Sequence, residues 1–532
     1  MLKRIAHNPW LACTVVALVA LAGRMAILPW VHVPSPAVHD EFSYLLASDT
    51  YASGRVTNPP HPLWEHFETF HVLQQPTYAS KYPPLPGLMM AFGQRVFGTP
   101  WIGVWLGVGL MCAATCWMLR GWISPGWAML GGLLLATRIG FFTYWIDSYW
   151  GGAVAAAGGA LVLGAIPRIA RERRIRDAVV FALGLVVLMN SRPYEGFVLA
   201  ALASIALGWW LWKDHVDWQP VALRILAPVA LVLAPAVGAM AYQNWRVTGN
   251  ALLLPYVAHD RQYAASSLFL WSDSRPAPMY RHAELRRYWA GWQVDVTAKA
   301  RQELAGQFWG RLGYLYQFYF GLWPVLAVAL IWPYRLQTRE ERWTALILGI
   351  ALVVTVAPLA GILPHYAAPL TALLYLRLLQ GLSRLPAFRP SGWPVGFVLL
   401  GLVLVGWSAQ LGYDFRELFL HGEKVPQLAW DRSQVIRRIN RVSGDHLVIV
   451  HFSQTHDVHQ EWIANAADID RSHIVWAREM GSAADAPLLA YYHARHTWLL
   501  DADANPPRIQ PYPGSEAPKV AAASEALPLA GR

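Results

Sequence analysis

The chain has 532 residues, of which 55% are hydrophobic and only 14% are charged. That balance excludes a soluble globule with a polar surface and is typical of a multispanning membrane protein. The formal net charge of +10 would suggest nucleic-acid binding in a soluble protein, but the positions of the basic residues, given below, argue against a nucleic-acid partner. The three cysteines lie inside apolar runs, so neither a disulfide framework nor a zinc site is expected.

Eleven apolar runs are long enough to cross a bilayer as helices. The first follows a basic N-terminus and lacks a clear small-x-small cleavage site, so we expect a retained signal anchor. The predicted spans are residues 11–31, 101–119, 125–145, 150–167, 178–190, 195–212, 221–242, 312–333, 343–362, 366–381 and 393–412.

Lys and Arg in the short connections predict the orientation of these spans. With a cytoplasmic N-terminus, the inner loops include the basic segments 167–177, 333–342 and 383–392. The turns near Asp147, Arg192 and His365 carry few positive charges and then lie outside. The same orientation places three larger segments on the outer side, namely residues 32–100, 246–311 and 413–532.

The last of these segments differs in character from the rest. Its alternating and β-branched stretches predict strands and one helix, and an Ala/Pro-rich end predicts disorder. The predicted fold is an all-α polytopic membrane domain over residues 1–412, followed by a small α/β extramembrane domain over residues 413–532. Its predicted strands are 446–452, 473–479 and 496–503, and its predicted helix is 486–495.

Polar side chains recur at the outer ends of the spans. Asp40 and Glu41, in "HDEFSYLL", follow the first span and begin an amphipathic helix along the membrane. The loop after that helix is rich in proline, histidine and aromatic residues, unlike a flexible linker, and ends at Lys81 before "YPPLPGL". Asp147 lies in the next outer turn, within "YWIDSYWGG". A carboxylate beside apolar spans is costly and usually marks function.

This order of motifs resembles the GT-C glycosyltransferases of the family-39 type, which include protein O-mannosyltransferases and bacterial lipid A aminoarabinose transferases. Family members often read K-P-P-L, whereas this chain has K-Y-P-P-L with Tyr82 inserted. "NSRPYEG" resembles the family's basic turn, with Arg192 in the basic position. "LPHYAAPLTALL" resembles its late outer turn, with His365 and Tyr366 before a proline-containing helix. The resemblance covers roughly residues 1–412.

The resemblance implies an integral enzyme of the bacterial inner membrane. It would transfer a hexosyl or pentosyl group from a polyprenyl-phosphate donor to a hydroxyl of a lipid, protein or glycan acceptor, on the outer face. Such a transfer needs a carboxylate as base, for which we expect Asp40, with Glu41 and then Asp147 as substitutes. It also needs groups that bind the donor phosphate and stabilise its growing charge. Lys81, Arg192 and His365, together with Tyr366, are the expected set.

Each residue also has a structural interpretation. An acidic pair at a helix start can cap the helix, and Lys81 or Arg192 can extend to the interface. Arg24 and Arg138 are expected to pair with carboxylates or to extend likewise. No cofactor is required by the sequence, and a divalent metal ion is left open. Its ligands would be Asp40 with Asp147, or the cluster of His61, Glu65, His66, Glu68 and His71.

Two rival functions use similar features. A transporter or flippase of an envelope lipid or glycan precursor also places acidic residues in or beside spans. A non-catalytic subunit of an envelope complex is the other alternative. The polar groups here collect on one face and no internal repeat is visible, which favours an enzyme. These residues specify neither the sugar nor the acceptor.

Overall fold

The computed structural model describes residues 2–321 and 338–513. Most of them are helical. The predicted span 312–333, the inner loop 333–342 and the disordered end fall wholly or partly outside the described residues. The first helices are α1 Leu2–His7, α2 Pro9–Ala26, α3 His39–Ala52, α4 Pro84–Phe97, α5 Trp101–Leu119, α6 Pro125–Ile139, α7 Ala153–Glu172, α8 Ile175–Met189, α9 Pro193–Lys213 and α10 Trp218–Val221.

A π turn over Ala222–Leu226 joins α10 to the next helix, and a second π turn over Arg287–Trp292 joins two short helices. Short 3-10 turns span Trp64–Phe67 and Pro364–Leu370. The remaining helices are α11 Ala227–Thr248, α12 Pro255–Tyr263, α13 Ala283–Arg286, α14 Gln293–Gln302, α15 Leu304–Phe320, α16 Arg339–Val356, α17 Thr371–Arg384, α18 Val395–His421, α19 Gln427–Ile439 and α20 Ser482–Tyr491.

Six helices in the described part of the chain are long and apolar enough to cross a membrane. They are Pro9–Ala26, Trp101–Leu119, Ala153–Glu172, Pro193–Lys213, Trp218–Thr248 and Val395–His421. Large apolar side chains on them stay exposed, among them Ile205 (63%), Leu231 (78%) and Val405 (66%), as lipid-facing positions should be. This architecture fits the helical membrane protein predicted from composition. The count of eleven spans stays a prediction.

Small residues allow the segments around the outer turns to pack closely. A Cβ on Gly103 of α5 would lie 2.0 Å from the carbonyl oxygen of Met89 in α4. A Cβ on Gly159 of α7 would lie 2.0 Å from the carbonyl oxygen of Pro369. Only glycine therefore permits these approaches, which resemble the small-residue contacts of membrane helices. They fix α4, which follows Lys81, and the turn that carries His365.

The tail contains a four-stranded sheet in the order β4-β3-β5-β6, with β3 parallel to both neighbours and β6 antiparallel. Three of its four strands lie where the sequence pattern predicts strands, whereas the last, Arg508–Pro511, was not predicted. The wider extramembrane domain over residues 413–532 remains a prediction. The strands are β3 His446–His451, β4 Ile474–Arg478, β5 His496–Asp501 and β6 Arg508–Pro511, whereas β1 Val72–Leu73 and β2 Ala79–Ser80 form a separate ribbon in the first outer loop.

Both faces of the tail sheet are covered, because successive strand residues point to opposite sides. Val448 and Val450 face α19 on one side. Leu447 and Ile449 face the other side, where they share a core with Phe67 and Tyr78 of the first outer loop. The Nε of Arg478 donates to the carbonyl oxygen of Glu68 at 2.7 Å. The tail is therefore part of the layer that holds the first outer loop in place.

Candidate active site

Asp40 lies in the first turn of α3 and is surrounded by polar side chains. Its Oδ2 lies 3.1 Å from Nδ1 of His39 and 3.6 Å from Nε2 of His71, and its Oδ1 accepts a hydrogen bond from the Tyr82 hydroxyl. Burial by itself raises the pKa of Asp40, but His71, His39 and Tyr82 together hold that pKa well below its ordinary value. Asp40 is thus an ionised carboxylate with a partly exposed side chain.

Glu41, the next residue, has a different environment. It is 3% exposed. Its Oε2 accepts from the backbone N–H groups of Ala37 (2.8 Å) and Val38 (3.1 Å), and its Oε1 accepts from the N–H of Tyr149 at 3.0 Å. Burial raises the pKa of Glu41 and these three donors oppose that rise. Its carboxylate joins the start of α3 to the turn that carries Asp147.

Asp147 is held by a cation from the first span. Arg24, fully buried, places Nη2 2.9 Å and Nε 3.1 Å from Oδ1 of Asp147. Its guanidinium also donates to the carbonyl oxygens of Val31 and His32. Burial raises the pKa of Asp147 to about 6, and Arg24 opposes that rise. The predicted pairing of Arg24 with an internal carboxylate is present, while Arg138 instead donates to backbone carbonyl oxygens.

Lys81 is enclosed by aromatic rings. It is 4% exposed, and its Nζ lies 4.4 Å from the ring centroid of Tyr256, 5.4 Å from that of Trp289 and 5.5 Å from that of Tyr82. Such contacts stabilise a desolvated ammonium without neutralising it. Burial lowers the pKa of Lys81, while Asp260 and Asp40 raise it. Tyr82, whose hydroxyl donates to Asp40, is one of these rings and links the cation to the carboxylate.

Arg192 and His365 lie at two other turns, and both contact the ring of Tyr366. The guanidinium carbon of Arg192 lies 4.9 Å from the ring centroid of Tyr366. The Tyr144 hydroxyl oxygen lies 2.9 Å from Nδ1 of His365, and the backbone N–H of His365 donates to the same hydroxyl at 3.1 Å. Burial and Arg192 lower the pKa of His365 well below its ordinary value, while Asp40 raises it. These influences favour the neutral imidazole of His365, and its predicted role in binding the donor phosphate stays a prediction.

The structure thus brings Asp40, Lys81, Arg192, His365 and Tyr366 into one electrostatic neighbourhood. Within the described ranges, neither Lys81 nor Arg192 has a carboxylate at ion-pair distance, in contrast to Arg24. Glu41 and Asp147 lie at the adjoining turn with their own partners. The arrangement offers an ionised base and two cations without a counter-ion, which is what a reaction that moves a proton and releases an anion requires.

The predicted metal cluster at residues 61–71 does not form. His61 contacts Asp470 at 3.2 Å, His66 contacts the carbonyl oxygen of Arg478 at 3.1 Å, and His71 faces Asp40. Their side chains go to three places because the segment bends through a 3-10 turn. A different group, His39, Asp40 and His71, has ligand atoms within 4.8 Å of one another in the described part of the chain. Two imidazoles and a carboxylate are a donor set that suits Zn²⁺. This set does not include Asp147.

Several residues around Asp40 and Lys81 were missed at the sequence level. His39 precedes Asp40 directly and could have been paired with it from its position. His71 lies 31 positions beyond Asp40, and no local spacing indicates their contact. Tyr256 and Trp289 come from the second outer loop, and the sequence holds no signal that they would surround Lys81. These contacts depend on how the two outer loops pack together.

No family model matches this chain, and no curated protein matches it. Solved structures do. ArnT from Cupriavidus metallidurans in the apo state is 11% identical, with a TM-score of 0.49, and the match covers 92% of each chain. The same protein bound to undecaprenyl phosphate is 15% identical with a TM-score of 0.44, covering 75% of this chain and 62% of that one, which is less than two thirds of its length.

A third match is the oligosaccharyltransferase of Archaeoglobus fulgidus in the apo form. It is 10% identical, with a TM-score of 0.40, and the match covers 93% of this chain and 69% of that chain. Both matched proteins are GT-C glycosyltransferases, the superfamily that the sequence motifs resemble. At these identities and TM-scores the similarity by itself assigns no activity to this chain.

Proposed function

We propose that this chain transfers a sugar from a polyprenyl-phosphate-linked donor to an acceptor hydroxyl on the outer face of the membrane. One observation carries the proposal: the ionised, partly exposed carboxylate of Asp40 shares Tyr82 as a neighbour with Lys81, and neither Lys81 nor Arg192 has a carboxylate at ion-pair distance among the described residues. A leaving phosphate would supply the missing counter-charge. The six long apolar helices support a location in the membrane, where the polyprenyl chain of such a donor is soluble.

In the proposed reaction, the acceptor oxygen attacks the anomeric carbon while its proton passes to Asp40. A glycosidic bond forms, and the bond between the anomeric carbon and the phosphate oxygen breaks. Its electron pair stays on that oxygen, where Lys81 and Arg192 stabilise the added charge. The products are the glycosylated acceptor, a protonated Asp40 and a free polyprenyl phosphate. No oxidant or reductant is needed.

The remaining site residues have supporting roles in this proposal. Tyr82 donates to Asp40 and orients it. His365 and Tyr366 provide hydrogen-bond donors near the phosphate. Glu41 and Asp147, whose partners are fixed, hold the turns in position, so Asp40 is the favoured base of the three.

The proposed setting is the inner membrane of a bacterium. The N-terminus would be cytoplasmic, and residues 32–100, 246–311 and 413–532 would lie outside. The basic loop 167–177 supports this orientation. Reporter fusions at residue 172 and after residue 415 should then report opposite compartments. Two fusions on the same side would overturn the orientation and, with it, the outer-face location of the site.

The test of activity uses purified protein in lipid nanodiscs with a panel of polyprenyl-phosphate hexoses and pentoses. We expect release of free polyprenyl phosphate in the presence of an acceptor extract from envelopes, measured by mass spectrometry. Lys81→Ala and Arg192→Ala should each lower this release about a hundredfold or more, the usual cost of removing a preorganised charge partner. Arg389→Ala, at an exposed arginine of the predicted inner loop 383–392, serves as the matched control.

A flippase makes the opposite prediction. In proteoliposomes it would move the intact lipid-linked sugar between leaflets without breaking the sugar–phosphate bond. Transbilayer movement with no bond cleavage, or bond cleavage unchanged in both cation variants, would contradict the proposed transfer.

A further inference from the structure

A second cavity, of about 220 Å³, lies in the outer loops and contains none of the residues assigned to transfer. A cavity of this size is on the scale of one sugar ring. Its lining combines flat aromatic faces with hydrogen-bonding ends. The main lining residues are Trp64, Tyr263, Tyr280, Glu68, Gln262 and Arg281.

An aromatic cluster lies between this cavity and Asp40. Phe70, Tyr263, Tyr288 and Trp289 pack together in it. The ring of Phe70 lies 5.1 Å from that of His39, and Trp289 is one of the rings around Lys81. Tyr263 belongs both to the cluster and to the cavity lining. A molecule in the second cavity is therefore next to the transfer site but on the far side of this cluster.

Glu68 gives the cavity a buried polar group with unused capacity. It is 4% exposed. Its Oε1 accepts the Tyr263 hydroxyl at 2.9 Å, whereas its Oε2 has no hydrogen-bond partner. The closest imidazole nitrogen, Nε2 of His282 at 3.5 Å, is directed at the carbonyl oxygen of Glu65 at 2.8 Å. A carboxylate can accept about four hydrogen bonds, so Glu68 can still bind hydroxyl groups.

Trp64 and Arg281 also line the cavity, and Nη1 of Arg281 lies 3.9 Å from Oε1 of Glu68. The guanidinium carbon of Arg281 lies 4.6 Å from the ring centroid of Trp64, and its Nε lies 3.3 Å from Glu65. Arg281 is half exposed and keeps donors available at the cavity entrance, where Gln262 is also exposed. Aromatic faces suit the apolar C–H face of a pyranose, and carboxylate, amide and guanidinium groups suit its hydroxyls.

We propose that this cavity binds one sugar ring of the acceptor. The donor sugar is attached directly to the phosphate and must lie beside Lys81, Arg192 and Asp40. A sugar ring in the cavity, on the other side of the aromatic cluster, therefore belongs to the acceptor. The assignment of this ring to the acceptor rests on the proposed transfer function, whereas the binding of a sugar ring in the cavity is independent of that function.

Binding is tested first, without any transfer assay. Protein in lipid nanodiscs, free of glycosidic detergent, is mixed with methyl glycosides of glucose, mannose, galactose and N-acetylglucosamine, and saturation transfer to each is measured by NMR. At least one glycoside should receive saturation from the wild-type protein. With Trp64→Ala or Glu68→Gln, saturation transfer to that glycoside should not exceed background. Gln262→Ala, at an exposed residue, should weaken the signal even if a buried variant fails to fold. Trp393→Ala, at an exposed tryptophan remote in sequence, should leave it unchanged.

The acceptor assignment is tested by steady-state kinetics. Glu68→Gln and Gln262→Ala should raise the KM for the acceptor about tenfold, the loss of roughly one good hydrogen bond, with kcat and the donor KM unchanged. No saturation transfer to any glycoside, or transfer unaffected by the cavity variants, overturns sugar binding. Cavity-dependent binding with an unchanged acceptor KM overturns the acceptor assignment. A chain that binds glycosides but cleaves no donor would contradict the proposed function while leaving the sugar-binding cavity standing.

Discussion

Asp40 and Glu41 are neighbours in the chain, yet their carboxylates differ in exposure and in hydrogen-bond partners. Glu41 is 3% exposed and its carboxylate is occupied by three backbone N–H groups. Asp40 contacts the side chains of His39, His71 and Tyr82, and among the described residues neither Lys81 nor Arg192 has a carboxylate at ion-pair distance. Backbone N–H groups tie the Glu41 carboxylate to two turns, whereas the Asp40 carboxylate is held by side chains and keeps part of its surface exposed. The motif thus divides between an anchor and a group suited to chemistry.

The largest effect is expected at Asp40. Asp40→Asn keeps the shape of the side chain and removes its basicity, so transfer should fall by about 10² to 10⁴, the usual contribution of a general base. Binding of the donor lipid should remain measurable, because Lys81 and Arg192 are unchanged. Release of polyprenyl phosphate and binding of a labelled polyprenyl phosphate would be measured on the same preparation. Near-normal transfer would move the base to Asp147 and erase the contrast with Glu41.

The ion pair between Arg24 and Asp147 tests the anchoring role at a second carboxylate. Arg24→Met leaves Asp147 without its cation, and removing one member of a buried pair costs about 3 kcal/mol of stability. We expect a lower midpoint of thermal unfolding in nanodiscs. The double variant Arg24→Met with Asp147→Asn should recover part of the loss, since the uncompensated charge is gone. A single variant as stable as the wild type would show that Asp147 is not held in this way.

Glu41→Gln should weaken stability by about 1.5–3 kcal/mol, the range for hydrogen bonds to a charged group. The amide places an N–H₂ against backbone donors, so at least one of the three contacts is lost. Unfolding by a denaturant, followed by circular dichroism, would give this difference. At temperatures where the variant is still folded, its transfer rate should stay close to that of the wild type. A large loss of rate in a folded protein would assign chemistry to Glu41 as well.

The smallest expected effect is the contribution of Asp470 to the pH dependence of folding stability. Burial raises its pKa, but the hydroxyls of Tyr492 and Tyr491, together with His61, lower it more, so the net pKa is below its ordinary value. A lowered pKa in the fold means that Asp470 stabilises it above about pH 4 and that this contribution is lost as the pH falls further. The side chain is 48% exposed, so the change is small. Hydrogen exchange in β3 and β4, corrected for intrinsic rates, should vary less with pH in Asp470→Asn.

Local patterns in the sequence indicated the helices and the outer-turn residues because both have local causes. Apolar runs predict spans, and Asp40, Lys81, Arg192 and His365 each lie where such a run gives way to a turn. The partners of these residues have no local cause. Arg24 and Asp147 are 123 positions apart, and two of the three rings around Lys81, those of Tyr256 and Trp289, lie 175 and 208 positions after it. The tail strands follow from alternation, but the packing of their sheet on the first outer loop does not.

The packing of the tail sheet on the first outer loop has a consequence for folding during synthesis of the protein. Arg478 binds the carbonyl oxygen of Glu68, which precedes it by 410 positions, and the tail sheet shares its core with Phe67 and Tyr78. At about 5–20 residues per second, the ribosome supplies the tail on the order of 20–80 s after the loop. During that interval the first outer loop lacks the tail surface on which it packs, and Arg192, His365 and Tyr366 are still being added to the chain. Synthesis of the tail sheet is therefore the step that allows the packing of the first outer loop to be completed.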